Sequence, residues 1–213
     1  LGYMEERLGA AEVDAFLVRH GITRDYLRDQ NNWISLSFAH ELLRLLRDRI
    51  DADRACLEAG SYTFRPESLG RMFWITLKSV GTPMRVFKQC VEFTKTYNRV
   101  GRFHMESRGR NRLVLSYRAK EGSRETDKLF CQYRMGQFSA VPTIWGLPEA
   151  QCKETGCLAN GDDACTYEFT WQERRSFFYP LGGLAAGALA ALVYTVALSP
   201  APDFSSWLMS ALF

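Results

Sequence analysis

The stretch that decides the fold is residues 149–171, EAQCKETGCLANGDDACTYEFTW. Its arms, near 149–156 and 165–171, are predicted strands, and Asn160-Gly161-Asp162 lies in the turn between them. Two strands joined by so short a turn pair antiparallel. The stretch therefore predicts a hairpin, and with it an antiparallel sheet, at the end of the charged part of the chain.

The residues before this hairpin predict the rest of an α+β domain. A long helix is expected from about 125 to 143, and a first hairpin from the alternation of 102–107 and 113–119 around Gly109-Arg110-Asn111. The N-terminal half shows helical spacing of apolar residues: Leu8, Val13, Phe16 and Leu17; a stripe from Phe38 to Ile50 behind Ser37 as a cap; Leu69, Phe73, Leu77 and Val80 behind Pro66; and Val86, Cys90, Phe93 and Tyr97 behind Pro83. The predicted organisation is a helical part over 1–100, a hairpin-rich part over 101–173 and a tail over 174–213.

Composition excludes several classes of protein. The 27 lysines and arginines against 24 acidic residues give a net charge of +3, too small to indicate a nucleic-acid-binding surface. Hydrophobic residues make up 46% of the chain, which supports a sizeable core and excludes a disordered or disulfide-dense chain. Motifs for dinucleotide binding or for a nucleophile elbow are missing from the sequence, so we expect no enzyme.

The tail has a different composition. Only one charged residue, Asp203, follows Arg175, and residues 177–198 are uncharged. At 1.5 Å per residue this run would cover about 33 Å, the thickness of a bilayer's hydrocarbon. We expect a C-terminal transmembrane helix there and the start of a second from 204. Arg174 and Arg175 before the span predict that residues 1–175 lie in the cytoplasm, on the inner face of the membrane.

The six cysteines carry the clearest chemical signal. In a cytoplasmic domain they are thiols, and Cys56 and Cys90 fall on helical stripes as small buried side chains. Cys157 and Cys165 flank the turn of the second hairpin, and Glu154 lies three residues before Cys157. A tetrahedral zinc site needs one more donor. Cys131 on the long helix and Cys152 on the strand are the two candidates.

The order and spacing of Cys131, Glu154, Cys157, Gly161 and Cys165 resemble the zinc signature of the 4-vinyl reductase domain family, found in bacterial aromatic-responsive regulators. The resemblance favours Cys131 over Cys152. Further similarity lies in three tripeptides and two glycines: Trp33-Ile34-Ser35, Gly81-Thr82-Pro83, Tyr97-Asn98-Arg99, Gly136 and Gly146. It implies a homodimeric ligand-binding input domain with a structural zinc, in the wider fold of heme nitric-oxide-binding domains.

The same resemblance implies an apolar ligand pocket between the helical half and the sheet. Its expected lining is Phe73, Trp74, Phe87, Phe93, Tyr97 and Phe103, with Trp145 near the mouth. The histidine and tryptophan with which phenol-responsive relatives hold a hydroxyl have no match here. Heme also lacks its helical proximal histidine, since His104 falls on a predicted strand.

The predicted function is sensory input. The domain would bind a small apolar or aromatic ligand and signal through Gln172-Glu173-Arg174-Arg175 to the membrane segment and an output domain outside this chain. Two alternatives stay open at this point: a zinc or thiol redox sensor, and an enzyme resembling the tetrapyrrole vinyl reductases.

Overall fold

A computed structural model describes residues 1–29, 31–50, 54–79, 81–123 and 125–172, and within the tail residues 187–191 and 193. The chain divides into two units, 1–173 and 174–213. In the second unit the described residues are helical, and no helix of the described chain combines the length and apolarity needed to cross a membrane. The remainder of the expected span over 177–198, the segment from 204 and residues 173–175 of the connector lie outside the described residues.

The first unit is α+β, with helices preceding and interrupting one sheet. The helices are α1 (Gly2–Leu8), α2 (Ala10–Arg19), α3 (Arg24–Arg28), α4 (Leu36–Arg49), α5 (Ala55–Ser61), α6 (Pro66–Leu69), α7 (Arg71–Ser79), α8 (Pro83–Tyr97) and α9 (Leu129–Ser139). The strands are β1 (Gly101–Ser107), β2 (Arg112–Ala119), β3 (Gln151–Gly156) and β4 (Cys165–Thr170).

Three helical boundaries differ from those expected. Ser35, not Ser37, caps α4, since its hydroxyl accepts the Phe38 N–H at 3.1 Å. The helix expected from Pro66 is divided into α6 and α7 at Gly70, whose φ of 78° no continuous helix contains. The helix expected over 125–143 is shorter at both ends: it begins at Leu129 and ends at Ser139, and a 3₁₀ turn that contains Pro142 follows over Val141–Trp145.

The sheet has four antiparallel strands in the order β1-β2-β4-β3. Two hairpins are thus joined through the central β2–β4 pair. Alternate residues of these two strands are fully buried on one face: Leu113, Leu115, Tyr117, Cys165, Tyr167 and Phe169. This face packs with α8 and α9 into the larger core cluster. The alternation of apolar residues along the strands predicted that one face of the sheet would be buried.

A second core cluster lies among α1, α2, α4 and α5, and α9 contributes to both clusters. Helices α5 and α9 cross with their backbones in contact. A Cβ built on Gly136 would lie 1.8 Å from the Leu57 carbonyl oxygen, and one on Gly60 would lie 2.0 Å from the Tyr133 carbonyl oxygen. Glycine at both positions is therefore what allows the helical half to approach the helix that covers the sheet.

Candidate functional site

An open cavity of about 420 Å³ lies between the start of α4, the end of α8, strands β1 and β2, and α9. We call it the aromatic cleft. Its lining is mainly aromatic: Trp33, Tyr97, Phe103, Tyr117, Phe130 and Tyr133, with Ile34, Ser35, Leu36, Ala39, Thr94, Asn98, Arg99, Val100, Arg134 and Gln137. Apolar walls with a few convergent polar groups are typical of small-molecule sites, and the volume lies within their usual range of about 300–1,000 Å³.

A smaller cavity of about 200 Å³ shares Thr94, Tyr97 and Gln137 with the aromatic cleft. Its remaining walls come from the 3₁₀ turn Tyr62–Phe64 and from α6, α7, α8 and α9: Thr63, Phe64, Leu69, Phe73, Leu77, Gln89, Cys90, Phe93 and Phe138. The side-chain amide of Gln137 makes no hydrogen bond among the described residues. The Gln137 amide therefore offers a free N–H donor and a free carbonyl acceptor at a position that borders both cavities.

The structure divides the seven expected lining residues into two groups. Tyr97 and Phe103 line the aromatic cleft, and Phe73, Phe93 and Tyr97 line the smaller cavity. Phe87 is instead fully buried, with its ring 5.1 Å from that of Trp171. Trp74 and Trp145 pack against the core and line neither cavity.

Two tripeptides, at 33–35 and 97–99, supply six of the residues that line the cleft, and they are in contact through Arg99 and Trp33. Both tripeptides stood out in the sequence only as similar in layout to other sensors. The Arg99 guanidinium carbon lies 3.8 Å from the centroid of the Trp33 ring, a cation–π contact. Their meeting depends on how the segment before α4 lies against the segment after α8, which no local pattern encodes.

Arg134 and Glu125 form a buried ion pair behind the cleft. They are 7% and 6% exposed, and the guanidinium donates to both carboxylate oxygens, with Nη1 to Oε2 at 2.8 Å. The Arg134 guanidinium carbon also lies 3.7 Å from the centroid of the Tyr117 ring. Burial raises the pKa of Tyr117 to about 12, so the phenol stays protonated. The pair was not anticipated from the sequence.

Three of the predicted metal ligands meet in a buried thiol cluster. The Cys131 sulfur lies 3.2 Å from that of Cys165 and 3.6 Å from that of Cys157. The hydrogen bond from Cys131 lowers the pKa of the Cys165 thiol to about 6, and the Leu158 N–H at 3.4 Å acts in the same direction. Sharing one proton raises the pKa of Cys131. The helix and the second hairpin are thus joined by contacts between cysteine sulfur atoms.

Glu154 and Cys152 do not belong to this cluster. The three sulfur atoms lie within 4.8 Å of one another, and no carboxylate joins that group within the described ranges. One oxygen of Glu154 accepts from Lys128 Nζ at 3.2 Å, and the other is buried without a hydrogen bond. Cys152 lies partly buried on β3 at the edge of the larger core cluster.

The comparisons with known proteins give a fold but no sequence family. No protein-family profile and no curated protein matches the chain, so the resemblance to the 4-vinyl reductase family is not confirmed. Among solved structures, an H-NOX protein from S. oneidensis in the Fe(II) state superposes with a TM-score of 0.62 at 13% identity, over 83% of this chain and 94% of that one. The Fe(II) unliganded H-NOX protein from K. algicida gives 0.56 at 15% identity, over 82% and 93%. A protein studied for modulation of heme redox potential by porphyrin distortion gives 0.60 at 10% identity, over 81% and 90%.

The expectation that zinc is the cofactor is wrong. The solved structures with this fold are described by their iron and their heme. Among the residues that the structure describes, the thiol cluster also lacks the fourth ligand of a closed tetrahedral zinc site. The expectation of the wider heme nitric-oxide-binding fold is confirmed. What this chain shares with the H-NOX proteins is their fold.

Proposed function

We propose that this chain is a sensory input domain that binds a small organic molecule directly in the aromatic cleft. The observation that carries the proposal is the cleft itself, a space of about 420 Å³ walled by aromatic rings and open at the Trp33–Arg99 contact. A ligand there would touch α4, α8, α9 and the sheet together. It could shift their arrangement only by binding one arrangement more tightly than another.

The residues around the cleft do not fit heme. Heme iron takes an axial histidine, thiolate, methionine or tyrosinate. None of the three histidines borders either cavity: His20 packs its ring against Phe16, the His40 Nε2 lies 2.5 Å from an Asp127 oxygen, and His104 is exposed on the outer face of β1. Cys90 borders the smaller cavity, but burial raises the pKa of its thiol to about 12 and keeps it protonated. Three tyrosines line the cleft, but burial raises the pKa of Tyr117 to about 12 and also raises that of Tyr133, which keeps both phenols protonated, and Tyr97 is 63% exposed. We therefore assign no role to heme in this chain.

The proposal keeps three features that stay predictions. They are the membrane tether over 177–198, with residues 1–175 on the cytoplasmic side; the homodimer; and an output domain outside the chain that the connector at 172–175 would reach. Each follows from the composition of the tail or from the family resemblance.

The set Cys131, Glu154, Cys157 and Cys165 also stays a prediction as a ligand set. The contact among the three thiols supports the alternative of redox sensing. Against redox sensing stands burial, because all three thiols are at most 1% exposed whereas reactive cysteines are partly exposed.

The function is tested with 2-naphthol, an uncharged aromatic probe, and the full chain. We expect saturable binding with one site per chain in isothermal titration calorimetry. Ala39→Trp should abolish it, because Ala39 lines the cleft from α4 and an indole there would occupy the space. The variant should keep the circular dichroism spectrum of the parent.

Ala11→Trp is the matched control, since Ala11 is exposed on α2 and should leave binding unchanged. The apolar tail is identical in all three proteins, so binding that survives Ala39→Trp does not occur in the cleft and would contradict the proposal.

A hemin titration tests the alternative that the chain binds heme. A Soret band with one heme per chain would show that the fold keeps the cofactor of its structural relatives.

A further inference from the structure

We infer that the aromatic cleft selects ligands that carry a negative charge beside an aromatic or apolar body, and that Arg99 is the residue that reads this charge. The inference deepens the proposed function and rests on it. It names the class of ligand that the cleft would take, an aromatic or apolar acid in its ionised form.

The cleft is lined by two charged residues, both arginines. The charge of Arg134 is neutralised by Glu125. Arg99 has no acidic partner among the residues that the structure describes. The lining therefore carries one uncompensated positive charge, that of Arg99. The rest of the wall is mainly apolar, so an anion in the cleft would have few other groups to pair with.

Arg99 is held where it can meet a ligand at the mouth. The Asn98 side chain ends α8 by accepting the N–H groups of Val100 and Gly101 at 3.0 and 3.1 Å, which fixes the short turn that contains Arg99. Its guanidinium carbon lies 3.8 Å from the centroid of the Trp33 ring, and Trp33 is 40% exposed. A contact with the ring uses none of the guanidinium N–H donors, so they stay free for a carboxylate.

The surroundings of the mouth add positive charge of the same kind. A neighbouring cavity shares Thr94, Asn98 and Phe103 with the cleft and is also lined by Arg102 and Lys120. Neither cation forms an ion pair within the described part of the chain. Arg102 lies directly opposite Arg118 in the β1–β2 register, an unfavourable like-charge pair that an anion would relieve. A positive field at the mouth would also draw an anion toward the cleft.

The test compares three probes with one ring system: 2-naphthoate, 2-naphthylmethanol and 2-naphthylmethylammonium, titrated into the full chain at pH 7. We expect the carboxylate to bind about tenfold more tightly than the alcohol, as one charge-assisted hydrogen-bonded contact allows, and the ammonium to bind most weakly. In Arg99→Gln the carboxylate and alcohol should differ by less than about twofold, with the affinity for the alcohol unchanged. Arg99→Lys should keep part of the preference.

Arg110→Gln is the control, because Arg110 is an exposed arginine in the β1–β2 turn and should change nothing. Equal binding of carboxylate and alcohol by the parent protein would overturn the inference and leave the proposed function standing. Equal weakening of both probes by Arg99→Gln would also overturn it, since it would mean that Arg99 only holds the shape of the mouth. Failure of every probe to bind would overturn both.

Discussion

Replacing Gly136 with alanine is expected to lower the free energy of unfolding by at least about 3 kcal/mol and Tm by about 6–12 °C. The new methyl would lie 1.8 Å from the Leu57 carbonyl oxygen, a distance that no Cβ tolerates. Its obstacle is backbone, so relief requires α5 and α9 to separate along their whole contact. Urea denaturation followed by circular dichroism measures the loss, and a protein that accumulates only as insoluble material agrees with it.

Gly2→Ala is the matched control. A Cβ there would meet atoms of the Tyr62 ring at 3.2 Å, and a side chain can move where a backbone cannot. The free energy of unfolding of this control should differ from that of the parent protein by less than about 1 kcal/mol. Equal stability of Gly136→Ala and the parent would show that the two helices do not cross this closely.

Replacing Arg134 with leucine is expected to cost about 3–5 kcal/mol, because it leaves the Glu125 carboxylate buried without its partner. A double variant, Glu125→Leu with Arg134→Leu, should recover much of that loss, since it removes both charges from the interior. Thermal unfolding of the parent protein, the two single variants Arg134→Leu and Glu125→Leu, and the double variant gives the coupling energy. The coupling should change little with added salt, as expected for a buried pair.

An exposed pair provides the comparison. Lys95 and Glu92 are paired on α8 at 2.6 Å with side chains 62% and 67% exposed, and Lys95→Ala should change stability by less than about 1 kcal/mol. If Arg134→Leu lowered the free energy of unfolding by as little as Lys95→Ala, the ion pair would not contribute as argued. The Glu125 carboxylate would then become solvated or protonated when its partner is removed.

Local sequence patterns predicted the sheet better than they predicted the helices. The alternation of 113–119 and the turn at Gly161 place β2 and β4 within one residue of their observed ends, because a half-buried strand must alternate. The break at Gly70 was missed, since the apolar stripe continues through it. Helical spacing reports which face is buried, not whether the backbone is continuous.

Only part of the candidate site could be predicted from the sequence. That part is the cysteines, which either lie close together in the chain or have the spacing of the family that the sequence resembles. Three members of that spacing, Cys131, Cys157 and Cys165, lie together in the structure, and a hairpin with one packed helix suffices to arrange them. The spacing gave the wrong cofactor, because thiols brought together do not specify their occupant. The cleft's wall of Trp33 and Arg99 required knowledge of how distant helices pack, and single-sequence patterns do not contain it.

The crossing of α5 and α9 has a mechanical consequence. Side-chain interfaces can slide by exchanging rotamers, but a contact of backbone on backbone through Gly60 and Gly136 has no rotamers to exchange. We therefore expect α5 to resist sliding along α9 at this crossing. In the proposed function, a molecule entering the cleft would then change the angle between the two helices more than the distance between them.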